Sequence, residues 1–492
     1  MIRKVVVAGR DAALWLAAGT IQKALGASGV TVDAIELPGL VGPADVYATL
    51  PPLEALHNQL RIDEAVLLRT TQGSFSLGQN FVDAAGGIAP FLHAYGSAGT
   101  PIEGQDFFAY WLKARRFGLG VGLEDFSLTA AAARQGRLLI PDDESERYGR
   151  SDYGYHLPAL PYIRSLKALA VYHGVAAHGA AAFEAVLAED GSIAALALDG
   201  GRRVEGDLFV DATGAEAGLI GAVLTVASES WHAYFPTDAV LAASGPRLAS
   251  VPVYAEIRAS GQGWTGLYPT AAGTYLQHAY SREVSSDDAA LAAAAATGGI
   301  ALSDAVIRTI HPRRRAVAWE RNCVAIGEAA CVFDPVHDVA LHAVQLGLVN
   351  LLACFPAGGD FAAQRAEYNR VARSAFERIR DFQSAHYACA RYLGAYWERA
   401  QSAAISPELA HRIALFEARG EVAPMEDDSF VPDSWRALFT GHGLNPETWL
   451  PTIDRTAPDV MKGEFRRMLG FVKDQVLRSP QHDAYLAQIA NG

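Results

Sequence analysis

Two places in this 492-residue chain pair residue types with spacings that chemistry can use. The first is Gly9, which ends the β-branched run at residues 4–8, together with Glu36, which ends a second apolar run at residues 30–35. A glycine turn between a strand and a helix aims backbone N–H groups at phosphates. An acid some twenty residues on takes ribose hydroxyls. Gly9, Ala12, Ala13 and Glu36 are therefore candidate contacts of a dinucleotide cofactor. The second place is Gly327-Glu328, followed by Asp334-Pro335-Val336-His337-Asp338. Histidine titrates near neutrality, so His337 can act as a base; beside Asp338 it can equally be a satisfied polar residue.

These residues need elements to hold them. Residues 4–8, helix-like residues 12–25 closed by Gly26, and residues 30–35 make the opening of a βαβ unit. The stretches 207–214 and 322–330 read as further strands running into glycine turns. Three such elements, far apart and in this order, imply one interleaved module. From about residue 361 the pattern becomes helical, with residues 375–397 at helix spacing and Ser406-Pro407 as a cap followed by Pro at the first helical position. Residues 289–297, rich in alanine, read as a helix. The expected division is 1–404 for the module and 405–492 for a helical C-terminal region.

Composition narrows the class. Half the residues are apolar, 19% are charged and the net charge is −13. There is no basic run, so nucleic acid is not an expected partner. No apolar stretch reaches membrane-spanning length without a charge, and no leader is evident, so a cytoplasmic chain with no membrane association is expected. The four cysteines, Cys323, Cys331, Cys354 and Cys389, lack metal-ligand spacing and read as reduced core thiols; no metal site is expected.

Several longer segments carry a family resemblance. Leu67-Leu68-Arg69-Thr70-Thr71-Gln72-Gly73-Ser74-Phe75-Ser76-Leu77-Gly78 resembles the "LRATxATFKLG" segment of the flavin-dependent tryptophan halogenases. Residues 91–96 are similar to the stretch containing "H-x-F/Y-G", residues 107–112 to "FxxYWL", residues 151–157 to "SGYAYHFD", residues 236–240 to "DxAV" and residues 380–387 to "IRDFxxxHY". The resemblance spans roughly residues 3 to 400. It implies an α/β fold of the FAD/NAD(P)-binding Rossmann-like type found in flavin monooxygenases and halogenases. An antiparallel substrate-side sheet would be interleaved with it, followed by the helical C-terminal region. It makes His93 and Tyr95 substrate-pocket candidates, and places Gly327, Glu328 and Asp334 along the flavin.

The same resemblance marks where this chain departs from the family pattern. The lysine that handles activated halogen is Ser76, which carries no charge. The glutamate that supports the reacting ring carbon is His337, and the halide cradle falls on Asp338, Val339 and Ala340. The three glycines of the phosphate turn are Gly9, Asp11 and Leu14. Asp11 is expected to cap its own helix and repel phosphate by like charge. The flavin loop "GxGEAT" becomes Ala44-Asp45-Val46-Tyr47-Ala48-Thr49, and "GWxWxIP" becomes residues 263–269, where Trp264 remains and Gly266 replaces the second tryptophan. The resulting expectation is a halogenase-family protein that does not halogenate, binds FAD weakly or not at all, and serves as a non-catalytic subunit or a small-molecule binder. A homodimer, or a heterodimer with an active paralogue, is the expected assembly. The alternative is an FAD-dependent monooxygenase or halogenase that acts on an indole or other aromatic molecule and draws on a flavin reductase.

Overall fold

The β-branched runs become neighbours in one sheet. In the computed structural model, which describes residues 2–492 apart from 357 and 359, strand β1 (Lys4–Gly9) lies between Leu208–Ala212 and strand β2 (Thr31–Glu36). Cys323–Ala325 adds outside Leu208–Ala212, and Ala176–Gly179 adds outside β2. All five run parallel; the short edge strand Trp319–Glu320 is antiparallel. Val5, Val6, Val7, Leu208, Phe209, Val210 and Val324 are fully buried. That is what a parallel sheet covered on both faces demands, and each such side chain contributes about 1.5–3 kcal/mol.

Helix α1 (Asp11–Leu25) follows β1 and buries Leu14 to Ile21. It packs against helix Ala159–Tyr172. At the carboxyl end of Leu208–Ala212, the buried carboxylate of Asp211 accepts from the backbone N–H groups of Thr213, Leu219 and Ile220 and from the Thr213 hydroxyl. A buried acid with four donors fixes the turn that follows.

Two compact units result, each made of three separated stretches. The first comprises Met1–Gly73, Leu157–Ala233 and Thr309–Arg380, and holds the parallel sheet. The second comprises Ser74–His156, Tyr234–Arg308 and Asp381–Gly492. Its core is a seven-stranded, mainly antiparallel sheet that ends in Gly78–Asp83 and the edge strand Phe91–Ala94. Helix Asp287–Gly298, capped by the Ser286 hydroxyl, lays Ala290 and Ala294 against Leu241, Leu276 and Tyr280 of that sheet.

Residues 405–492 form helices Pro407–Arg419, Pro432–Gly441, Pro458–Arg478 and His482–Asn491, which belong to the second unit. Ser406 caps the first of these through the Leu409 N–H, as expected. The helix expected over 375–397 is instead two. Ala362–Ala388 stops, and Ala395–Gln401 starts after Gly394. There φ is +120°, and a β-carbon would stand 2.4 Å from the backbone of Gly261. Helix Ala340–Ala353, together with the turn from Val336, is apolar enough to suit a membrane, but 61% of that stretch is buried inside the fold; it is a core helix.

Candidate functional site

The turn after β1 sets the phosphate-binding end of α1. Gly9 is buried, and a β-carbon there would lie 2.5 Å from the carbonyl oxygen of Ala212. Its absent side chain is thus explained by close strand packing alone. Asp11 is different. Its φ is +55°, the left-handed region that favours glycine and costs an L residue about 1–2 kcal/mol. The backbone keeps the shape of a glycine turn while a charged side chain sits on it.

Asp11 does not cap its own helix. Arg10 occupies the N-cap position, and the Asp11 carboxylate turns outward to accept from the N–H of Leu40 at 3.0 Å and from that of Val41. The expected internal cap fails because two donors in the loop after β2 outcompete the helix's own N–H groups. Burial raises the Asp11 pKa above the usual carboxylate range, with those backbone donors and Arg10 acting against it. The helix N–H of Ala12 instead donates to the hydroxyl of Tyr47 at 3.4 Å. Burial raises the Tyr47 pKa, and the charge of Asp11 raises it further, with Glu328 and Asp45 adding to it, so the hydroxyl stays neutral.

The end of α1 therefore meets a tyrosine hydroxyl on one of its N–H groups and three carboxylates, Asp11, Asp45 and Glu328, in the electrostatic neighbourhood of that tyrosine. Arg10, which precedes the helix, is engaged by Glu216 at 3.3 Å. A helix N-terminus attracts a diphosphate through unused N–H groups and positive potential; here one N–H group is taken by Tyr47 and the neighbouring side chains are acidic. Glu36, at the end of β2, pairs with Lys167 at 2.5 Å, and Lys167 also lies over the ring of Trp15. Ala12 is buried and Ala13 half-buried.

Gly327 and Glu328 form a short turn after Cys323–Ala325, with Gly327 buried and Glu328 exposed. Asp334 accepts from the N–H of Val336 at 3.0 Å, which shapes the loop into the next helix. His337 and Asp338 have φ of +69° and +52° in succession. Two adjacent left-handed non-glycine residues store strain, each costing about 1–3 kcal/mol. His337 and Val339 are buried, and Ala340 is exposed at the start of its helix. Asp338, half-buried ahead of that helix, suits the helix dipole and opposes a second anion.

Ser76, His93 and Tyr95 belong to the second unit. Ser76 is buried, and its hydroxyl donates to the carbonyl of Gly78 at 3.2 Å. Two residues before it, Ser74 donates to the carbonyl of Pro269. The neighbouring strand contributes His156, whose Nδ1 donates to the same carbonyl. Trp264 donates its indole N–H to Tyr387, a packing role. At Gly266 a β-carbon would stand 2.8 Å from the Tyr268 hydroxyl, so Tyr268 covers the place of the missing tryptophan. His93 packs among Tyr95, Phe382 and Phe430, and burial lowers its pKa to about 3.

The sequence marks Asp11 at the turn but as a cap of its own helix, which the structure overturns, and it does not reveal the Tyr47 hydroxyl on the Ala12 N–H. Its available signal was a bulky phenol inside a loop of otherwise small residues.

The tryptophan halogenase family model matches residues 4–458. The fold is similar to that of Xcc4156, a flavin-dependent halogenase from Xanthomonas campestris. That likeness has TM-score 0.93, 30% identity, and coverage of 99% of this chain and 98% of that one. BrvH, a flavin-dependent halogenase from Brevundimonas sp. BAL3, is similar at TM-score 0.92 and 30% identity over 99% of both chains. Tryptophan 6-halogenase SttH of Streptomyces toxytricini is 25% identical over 481 residues, covering 92% of this chain and 88% of that protein. With the parallel sheet, the glycine turn after β1 and the loop at Asp334 in place, the chain belongs to the tryptophan halogenase family of flavin-dependent proteins.

Proposed function

We propose that this family member does not halogenate, holds FAD weakly or not at all, and acts as a non-catalytic subunit or a binder of an aromatic small molecule in the cytoplasm. The observation that carries the reading is the end of α1, where Tyr47 takes the Ala12 N–H and Asp11 is locked to the loop after β2. Ser76, a buried hydroxyl bonded to the carbonyl of Gly78 two residues on, offers no amine to halogen. Asp338 sets a negative charge where the family pattern holds halide.

Incubation with FAD, a reductant, tryptophan and chloride or bromide tests the reading by mass spectrometry. No halogen isotope pattern is expected, and its appearance would refute it. A visible spectrum after FAD incubation and desalting should show no stoichiometric flavin. Light scattering, then co-purification with an active halogenase, tests the homodimer and the heterodimer.

A second reading is an FAD-dependent oxidoreductase, monooxygenase or halogenase, acting on an indole or other aromatic and supplied by a flavin reductase. The 30% identity over nearly the whole chain to two flavin-dependent halogenases favours it. A yellow holoprotein would select this second reading.

A further inference from the structure

We propose that a cavity against the sheet edge of the second unit binds a small planar carboxylate. The cavity measures about 430 Å³, within the range of about 300–1,000 Å³ that holds small organic ligands. Its walls include Phe91 and Leu92 of the edge strand, Trp111 and Arg115 of helix Phe107–Arg116, and Arg391 and Ala437. Besides Phe91 at the start of the strand, the lining takes Leu92, Ala94 and Gly96, which alternate with His93 and Tyr95, and neither of those two is among the lining residues. The cavity is therefore separate from the aromatic cluster around His93.

Charge bookkeeping within the wall names the ligand. Three acids line the cavity; two, Glu124 and Asp433, have an arginine beside them, and the third, Asp125, has a backbone donor. Glu124 accepts from the Leu92 N–H and pairs with Arg134 at 2.8 Å. Asp125 accepts from the Gly122 N–H. Asp433 lies 3.6 Å from Arg436. The two lining arginines are left over. Arg115 lies over the Trp111 ring at 5.3 Å, and neither it nor Arg391 has a carboxylate partner among the described residues. Both are exposed at the cavity. Two guanidinium groups set against the single acid of the wall that lacks a cationic partner, Asp125, leave a net positive charge beside a tryptophan and a phenylalanine; in a chain of net charge −13 that suits one carboxylate held by charge-assisted hydrogen bonds with its ring against the aromatic wall.

Calorimetric titration with indoleacetate and with indoleacetamide tests this directly on the full chain. Saturable binding of the acid is expected, with the amide weaker by about ten-fold or more, the effect of a charge-assisted hydrogen bond. Arg115→Gln and Arg391→Gln should each weaken the acid by about ten-fold and leave the amide unchanged. Ala437→Trp should fill the cavity and abolish both; if that variant misfolds, the two exposed arginine variants still decide. No saturable heat with indoleacetate, equal affinity for acid and amide, or arginine variants that bind like the wild type would each overturn the proposal.

Discussion

The strands of the first unit's parallel sheet and the turns at their carboxyl ends follow different rules. Val5 to Val7, Leu208 to Val210 and Val324 are buried and in register. The turn after β1 carries Asp11, and the loop ahead of helix Ala340–Ala353 carries His337 and Asp338, in left-handed conformations where a glycine would sit without strain. The contrast teaches that the fold depends on the strand interiors, whereas cofactor chemistry depends on the turns, so the two can part company. Gly9 and Asp11, two residues apart, show it at close range: one is held by backbone packing against Ala212, and the other follows a turn shape that its side chain no longer suits.

Gly9→Ala should break the strand side of this contrast most severely. Its β-carbon would fall 2.5 Å from a backbone oxygen that cannot move without shifting the sheet. A loss of about 3 kcal/mol is expected in urea unfolding. A midpoint within error of wild type would show that the glycine serves the turn rather than the packing.

Acidification should act next, through the second unit. His156 is buried with its pKa lowered to about 4 by burial. Its Nδ1 donates to Pro269, and its Nε2 has no partner among the described residues. An unfolded histidine titrates near 6.5. Between those values the unfolded chain binds more protons, so stability is full above about 6.5 and falls as pH drops toward 4; one such group loses about 2 kcal/mol by pH 5. Urea midpoints at several pH values should show this slope, and His156→Gln should flatten part of it. A wild-type midpoint that does not fall below neutrality would contradict the burial argument.

Much of this was legible in the sequence. The βαβ opening, the strands ending at Ala212 and Ala325, and the cap at Ser406 follow from periodicity and turn chemistry, because burial selects β-branched runs and caps select hydroxyls. The split of the helix near Gly394 was not legible, since it depends on Gly261, more than a hundred residues away. Nor was the partner of Asp11: a helix start shows which residue is able to cap, but not that Leu40 and Val41 compete for it. The two cavity arginines without an ion-pair partner among the described residues are equally invisible in sequence, since pairing is a property of space.

The turn side of the contrast is sharpened by Asp11→Gly combined with Tyr47→Phe. This restores an unstrained turn and releases the Ala12 N–H. FAD should bind about ten-fold more tightly, roughly 1.4 kcal/mol. An unchanged affinity would mean that other residues close the site.

Calorimetric titration of the purified wild-type chain with FAD at neutral pH tests the central claim most directly. The account predicts no saturation in the low micromolar range. A stoichiometric site of sub-micromolar affinity would contradict it and leave a working flavoprotein in its place.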